Sequence, residues 1–373
     1  MKKVLTVGPM PPPRGGIASV MEEIVNSTLR QEYTFDLFSS PFVYPPAVSG
    51  VVGKNLIRVR QYLSFYKKCR SGSYRLMHLH SPGHKYLANA VYTLLARMAG
   101  IKVLLHLHGN DWNLFYPQAP WFNKPLIKGG VSLASRIVVL HSAWMKGIRE
   151  LGIAAPVSVL RNMIPPARTY TAGELQEERA RTGLNNDDFV VLLAGVGIAE
   201  RNKGFFDLLE ALPAIIAEND DLRFVFAGGD DAPGSLAVAK EIIEREKLGK
   251  WLILLGDIER ERVHALMEIA SIFLLPSYME GMPIGIIEAL RSRAVVITTP
   301  VGGIPDMIDD EKSGLFIEVG SPEGIADAVL RVKRDEALRE RLAQEGLIAF
   351  HEKFDLDKGV EVIREIYEEL ERL

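Results

Sequence analysis

Short unbroken apolar runs alternate with longer stretches of helical period along most of the chain. In the first half the runs fall at 3–7, 35–38, 75–80, 102–107 and 136–140. Between them, apolar residues recur at three- and four-residue spacing over 17–30, 54–70, 86–98 and 143–151. A strand covered on both faces reads as a continuous apolar run, whereas a half-exposed strand alternates. The runs therefore predict parallel strands joined by helices. The alternation restarts with runs at 189–194, 222–227, 251–255, 272–275 and 295–298 and helical stretches at 204–217, 235–247, 260–269 and 283–291. Two such series predict an α/β chain of two doubly wound, Rossmann-like domains, residues 1–165 and 185–350. The join is expected between Met163 and Asp188, where Asn162-Met-Ile-Pro-Pro breaks regular structure and 183–188 is a turn cluster. A last helix, about 357–373, is a candidate to return to the first domain.

Composition narrows the class. The 373 residues are 47% hydrophobic and 24% charged, which excludes a disordered or low-complexity chain. No run approaches the ~18 apolar residues of a spanning helix. The opening MKKVLTVGPMPPP has too short an apolar stretch for a signal peptide and reads as a first strand entering a loop. Cys69 is the single cysteine, so no internal disulfide forms, and a cytoplasmic setting is expected. The formal net charge of −3 hides an asymmetry. Residues 1–165 carry 20 Lys and Arg against 6 Asp and Glu, a net of +14, and residues 166–373 carry 24 against 41, a net of −17. A basic half of this size points to an anionic partner, or else to mutual attraction of the halves.

Two segments of the second half carry the densest chemistry. In the first, a buried strand ends near Pro276 and a loop with Glu280, Gly281 and Met282 leads to Pro283, which suits a first helical position; Glu288 follows within the helix. Amides at such a helix start face out of the carboxyl edge of a parallel sheet, where open α/β sheets bind ligands and phosphate is favoured. Glu288 in Ile-Ile-Glu-Ala-Leu is either a buried carboxylate needing a donor such as a sugar hydroxyl, or a surface residue paired with Arg291. The second segment runs from Val191 through Arg201 and Lys203-Gly204 into a helix. Its two cations suit a diphosphate, although it is neither GxGxxG nor a P-loop.

Together these segments resemble the retaining family 4 glycosyltransferases of the GT-B fold, in which two Rossmann-like domains face an interdomain cleft. Glu280 and Glu288 match the family's E-x7-E signature and Lys203-Gly204 its Lys-Gly loop. The stretch from Val295 through Thr298, Gly302 and Gly303 to Asp306, with Asp309 to Gly314, resembles its next element. The resemblance implies that Glu288 binds the nucleotide ribose and Lys203 the diphosphate. It implies that Glu280 holds the donor-sugar hydroxyls with amides near Gly281 and Met282, and that Thr298, Gly302 and Gly303 lie near the nucleotide. The family's usual Arg, five or six residues before the Lys, is replaced by Ile198 and Gly197, and its role is assigned to Arg201.

In the first half, Pro9 to Ala18 leads from strand to helix through Arg14, Gly15 and Gly16, whose glycines allow close approach of amides to an anion. The resemblance implies that this Gly-Gly loop faces donor phosphate and acceptor. Leu104-Leu-His106-Leu-His108 puts both imidazoles on one strand face. With His78 and His80 they raise zinc, but strand-end histidines are commonly just hydrogen-bonded and no Cys ligand joins them. The resemblance matches His108 to a catalytic His pointing into the cleft and leaves His106 structural. No cofactor and no metal are expected; Asp355-Leu-Asp357 has D-x-D spacing but reads as a helix start. The basic stretch 54–70 places Leu56, Val59, Leu63 and Tyr66 on one face, suited either to the core or to an anionic membrane.

The expected activity is hexosyl transfer from a nucleotide diphosphate sugar, UDP-linked before GDP-linked, to a glycan or lipid-linked acceptor in cell-surface polysaccharide assembly. His108, Arg201, Lys203 and Glu280 are the expected catalytic groups. Peripheral attachment to the inner membrane face is the expected use of the basic half, and no nucleic acid is expected. A glycosidase using Glu280 and Glu288, a sugar-nucleotide epimerase of the same fold, and a silent membrane- or nucleic-acid-binding module are the alternatives; the absent early Arg favours the last.

Overall fold

The structure, a computed structural model, describes residues 1–10, 16–40, 51–82, 86–108, 116–195, 201–217, 219–229 and 234–373. It divides into two compact units, one of Met1–Pro165 with Leu356–Leu373 and one of Pro166–Asp355.

The first unit is built on a six-stranded sheet. Its strands are β1 (Lys2–Gly8), β2 (Tyr33–Ser39), β3 (Leu76–Ser81), β4 (Lys102–Leu107), β5 (Arg136–Val139) and β6 (Val157–Val159), in the order β2-β1-β3-β4-β5-β6. Every pairing is parallel. β3 is buried along its whole length, as its unbroken apolar run requires of a strand covered on both faces. The last helix, Leu356–Arg372, belongs to this unit. Tyr367 on it is fully buried edge-to-face on Tyr33, 5.2 Å between centroids. Glu371, Glu369 and Arg364 pair with Lys2, Arg136 and Glu32 at 2.5, 2.6 and 2.9 Å. Gly359 makes the docking close, since a Cβ there would lie 2.2 Å from Met163 Sδ.

The second unit repeats the design with β7 (Phe189–Ala194), β8 (Leu222–Ala227), β9 (Leu252–Gly256), β10 (Ile272–Leu275), β11 (Val295–Thr298) and β12 (Leu315–Phe316), in the order β12-β11-β10-β7-β8-β9. All of these pairs are parallel too. Phe205, Phe224, Val329 and Leu342 share its core with the inward residues of β7, β10 and β11. The chain runs outward from β7 to β9, then returns to the other side of β7 for β10. The strand order therefore reverses between β7 and β10, and the loops leaving those two strands diverge there. Such a switch point opens a crevice at the carboxyl ends of the strands.

Three elements depart from the sequence pattern. β6 and β12 are three and two residues long and only partly buried, too short to show a period. Helix Lys124–Ser132 contains Gly129-Gly130, which reads as a breaker. There Gly130 lets the helix close on its neighbour, because a Cβ would meet Ala90 Cβ at 2.2 Å. Among the described residues, no helix is long and apolar enough to cross a membrane.

Candidate active site

At the switch point of the second unit, Lys203 follows β7 and Glu280 follows β10. Lys203 Nζ lies 2.7 Å from Glu280 Oε1, which also accepts from Ser277 Oγ at 2.8 Å. Backbone bonds hold the two loops together: Tyr278 N–H donates to Asn202 O at 2.7 Å. Gly204 adopts φ +71, and a Cβ there would lie 2.1 Å from Pro276 O, so only glycine serves at this crossing.

The loop after β11 closes the other side. Gly302 has φ +57, and a Cβ would sit 1.8 Å from Glu280 O. Gly303 N–H donates to Gly281 O at 2.8 Å. Thr298 is fully buried and donates its hydroxyl to Leu275 O at 2.7 Å, and Thr299 does the same to Ser277 O. Thr298 thus fixes the loop with its hydroxyl proton. Met282 is buried beside Gly281, just before helix Ile284–Arg291. Three loops from adjacent strands therefore converge on one carboxylate–ammonium pair.

Glu288 lies one turn into that helix and is only 8% exposed. The surface pairing with Arg291 is not what the structure shows. Oε1 of Glu288 meets His264 Nε2 at 3.0 Å and Arg260 at 3.5 Å, both on helix Arg260–Ile269. Burial pushes its carboxyl up, but the His264 bond and the charges of His264, Arg260 and Arg291 outweigh it, leaving it below the usual carboxylate range. Two acidic groups are thus built at the switch point and the adjoining helix: Glu280 joined to Lys203, and Glu288 joined to His264 and Arg260. Sequence reasoning missed Ser277, His264 and Arg260. The four-residue spacing of Arg260 and His264 puts them on one helix face, but nothing local ties that face to Glu288, 24 residues past His264.

Arg201 opens the short turn Arg201–Lys203; its side chain, Gly197 and Ile198 lie outside the described residues. In the first unit Gly15 and Arg14 also lie outside them, and Gly16 begins helix Gly16–Asn26. Asp355 and Asp357 flank the first residue of the last helix.

His108 directly follows β4 and sits in a group of four buried imidazoles. His80 Nδ1 lies 2.8 Å from His108 Nε2, His78 Nε2 lies 3.3 Å from His106 Nδ1, and His78 Nδ1 lies 2.8 Å from Tyr367 Oη. Nε2 of His80 and of His106 are buried with no partner. An orphaned buried N–H is rarer than an orphaned acceptor. The arrangement that orphans no N–H has His106 donating to His78, His78 to Tyr367, and His80 to His108. Burial holds all four uncharged, His78 and His108 pushed down to about 3 and His80 and His106 also well below the ordinary value. His108 is therefore a neutral group whose Nε2 is already taken. Three of the rings, His78, His80 and His106, lie close enough to share a metal ion, but the nitrogens of His78 and His106 point at each other in a hydrogen bond.

Comparison with known proteins adds to this geometry. Residues 175–347 match the family described as Glycosyl transferases group 1, and residues 15–163 match the Glycosyl transferase 4-like domain. The chain belongs to the group 1 glycosyltransferases. Its fold is GT-B. It is 28% identical over 279 residues to the putative teichuronic acid biosynthesis glycosyltransferase TuaC of Bacillus subtilis, covering 74% of this chain and 66% of TuaC. It is 25% identical over 325 residues to the UDP-Gal:α-D-GlcNAc-diphosphoundecaprenol α-1,3-galactosyltransferase of Escherichia coli, covering 83% and 79%. Among solved structures, Anabaena HepE in complex with UDP superposes with a TM-score of 0.77 at 16% identity, over 99% of this chain and 100% of HepE. Sucrose-phosphate synthase of Thermosynechococcus elongatus gives 0.76 at 16%, over 99% of both chains. The enzyme is a glycosyltransferase.

Proposed function

We propose that this glycosyltransferase moves a hexose, with retention of configuration, from a UDP-sugar to a glycan or lipid-linked acceptor in cell-surface polysaccharide assembly. The observation that carries the reading is the Lys203–Glu280 pair at the β7/β10 switch point. An ammonium held there by a single carboxylate is pre-positioned for a diphosphate, which offers more negative charge and more acceptor oxygens. When the diphosphate takes Lys203, Glu280 is released to accept from sugar hydroxyls. Lys203 and the adjacent amides then stabilise the charge that develops on the leaving diphosphate, the role electrostatic preorganisation serves in such a transfer. Glu288, kept ionised and oriented by His264 and Arg260, is an acceptor for the paired hydroxyls of a ribose. Neutral His108 serves as a hydrogen-bonding group and not as a proton donor of ordinary imidazolium strength. The chemistry asks for no bound metal. A UDP donor and a lipid-linked acceptor are favoured by the names of the HepE complex and the E. coli galactosyltransferase.

A thermal-shift screen of UDP, GDP and their sugars tests the reading. A nucleotide at ~100 times its Kd adds ~2.7 kcal/mol of stability. UDP is expected to stabilise and Glu288→Ala to remove most of that gain. Proton NMR of the transfer product then reads its anomeric configuration. No response to any nucleotide, an unchanged response in Glu288→Ala, or turnover without acceptor would each overturn the assignment.

A further inference from the structure

The first unit carries a surface that the transfer chemistry does not use. Helix Val51–Ser71 connects β2 to β3, helix Tyr86–Met98 connects β3 to β4, and helix Lys124–Ser132 lies between β4 and β5. Right-handed crossovers running in one direction along a parallel sheet stack their helices on one face. The three helices accordingly pack side by side. Their inner sides are well filled. Phe65 is fully buried, 4.8 Å from the Tyr92 ring, and Tyr62 packs edge-on against the same ring at 5.1 Å.

The outer sides are apolar where a soluble layer would be polar. On Val51–Ser71, Leu56, Val59 and Leu63 fall within ~60° of one another at ~100° per residue, opposite Phe65. All three are more than half exposed, Leu63 at 64%. The membrane-compatible stripe recognised in the sequence is thus the outer face of this helix, and the core face is a different one. The next helix exposes Leu94 and Met98. Ahead of and within the third, Trp121 is 82% exposed and Phe122 and Leu126 are more than half exposed. Scattered exposed leucines need no explanation, but exposed apolar residues on three adjacent helices form a patch of the kind that marks a binding surface.

Charge selects what binds it. From residue 37 to residue 149 the sequence holds fifteen Lys and Arg and one acidic residue, Asp111. Arg60, Lys67 and Arg70 project on the same side of the first helix as the apolar stripe, and Arg97 and Lys128 are exposed on the other two. We propose that this three-helix face docks the enzyme on an anionic lipid bilayer. Its aliphatic and aromatic side chains enter the boundary of headgroups and acyl chains, and its cations meet the lipid phosphates. A second copy of the chain would bring the same positive charge against itself, which disfavours self-association. A polyanion such as RNA would gain from the cations but nothing from the Leu56–Val59–Leu63 stripe. On this surface a lipid-linked acceptor would be met, a consequence that rests on the proposed function.

Sedimentation of the full, tag-free chain with phosphatidylcholine vesicles, with and without phosphatidylglycerol, tests it. Binding is expected to be at least ~10-fold tighter with the anionic lipid and to weaken as salt rises. The double variant L63S/W121S is expected to lose about tenfold in vesicle affinity. Both side chains are exposed, so its melting curve and its stabilisation by UDP should stay as in wild type. Equal binding to both vesicle types, binding unchanged in the variant, or a gel-filtration dimer that L63S/W121S dissociates would overturn the proposal. So would displacement from vesicles by an oligonucleotide whose own binding is indifferent to the double substitution. Vesicle binding without any UDP response would leave this surface standing and remove the donor reading instead.

Discussion

Replacing Lys203 with Met separates a binding role from a structural one. Nζ of Lys203 meets Glu280 at 2.7 Å, with the lysine side chain a quarter exposed and the glutamate a tenth. A pair this accessible stabilises by about 1 kcal/mol or less. The substitution also leaves Glu280 with the Ser277 hydroxyl as its side-chain donor among the described residues, adding ~1 kcal/mol for the under-satisfied carboxylate. For a unit of this size the sum is a Tm loss of several degrees. In the proposed donor complex a charge-assisted bond from Lys203 to the diphosphate would contribute ~1.5–3 kcal/mol, offset by loss of the Glu280 bond. Lys203→Met should therefore weaken UDP by about tenfold, ~1.4 kcal/mol. Glu280→Gln should behave oppositely: it removes the competitor for Lys203, so UDP alone binds as well or better, while transfer from the UDP-sugar falls. Calorimetry with UDP and a melt on each variant read both quantities. If the two variants lower Tm alike and neither changes UDP affinity, the pair is a structural tie and the assignment of the diphosphate to Lys203 fails.

Gly302→Ala should distort the loop under Glu280, because its φ of +57 and a Cβ 1.8 Å from Glu280 O cannot both be kept; an unfavourable left-handed alanine adds ~1–2 kcal/mol. Transfer is expected to drop at least tenfold while the far-UV spectrum is retained, and normal activity would show that the 280 loop tolerates displacement. Tyr367→Phe leaves Nδ1 of His78 buried without its 2.8 Å partner and should destabilise the first unit by ~1–3 kcal/mol. A melting curve that matches wild type would place a water or another acceptor there. Stability should also fall on mild acidification. The folded chain holds His78 and His108 neutral down to about 3, while the unfolded chain protonates them near ~6.5. The unfolded state thus binds protons first, so stability is full above ~6.5 and declines below it, by about 2 kcal/mol for each of these groups at pH 5. Urea midpoints between pH 7 and 5 measure the slope; a flat profile over that window would mean that the imidazoles are hydrated or already charged in the folded chain.

The strands and the chemistry of the second unit were legible because one physical rule governs both. Strands covered on two faces must be continuously apolar, so β7, β8, β10 and β11 stand out, and the polar residues after them are the ones placed at the carboxyl edge. Lys203 and Glu280 are read correctly as loop residues for that reason, 77 positions apart yet in contact. What local pattern leaves undecided is set by packing between distant segments. The flank of Ile-Ile-Glu-Ala-Leu fits a surface helix as well as a buried one; Glu288 is decided by Arg260 and His264 on a helix that crosses it. Gly129-Gly130 looks like an interruption until Ala90 is seen against it.

The stripe at Leu56, Val59 and Leu63 shows the same limit from the other side. Periodicity reports that a helix has an apolar face but not which of two faces the protein covers. Val51–Ser71 has one against Tyr92 and a second in solvent. Ordinary folding explains the first face, since burying Phe65 removes apolar surface from water. It offers no reason for the second, because an exposed leucine adds nothing to the stability of the unit and favours aggregation. Three adjacent helices keeping such positions, within a stretch almost without acids, are more economically explained by one external apolar and anionic surface than by three independent accidents.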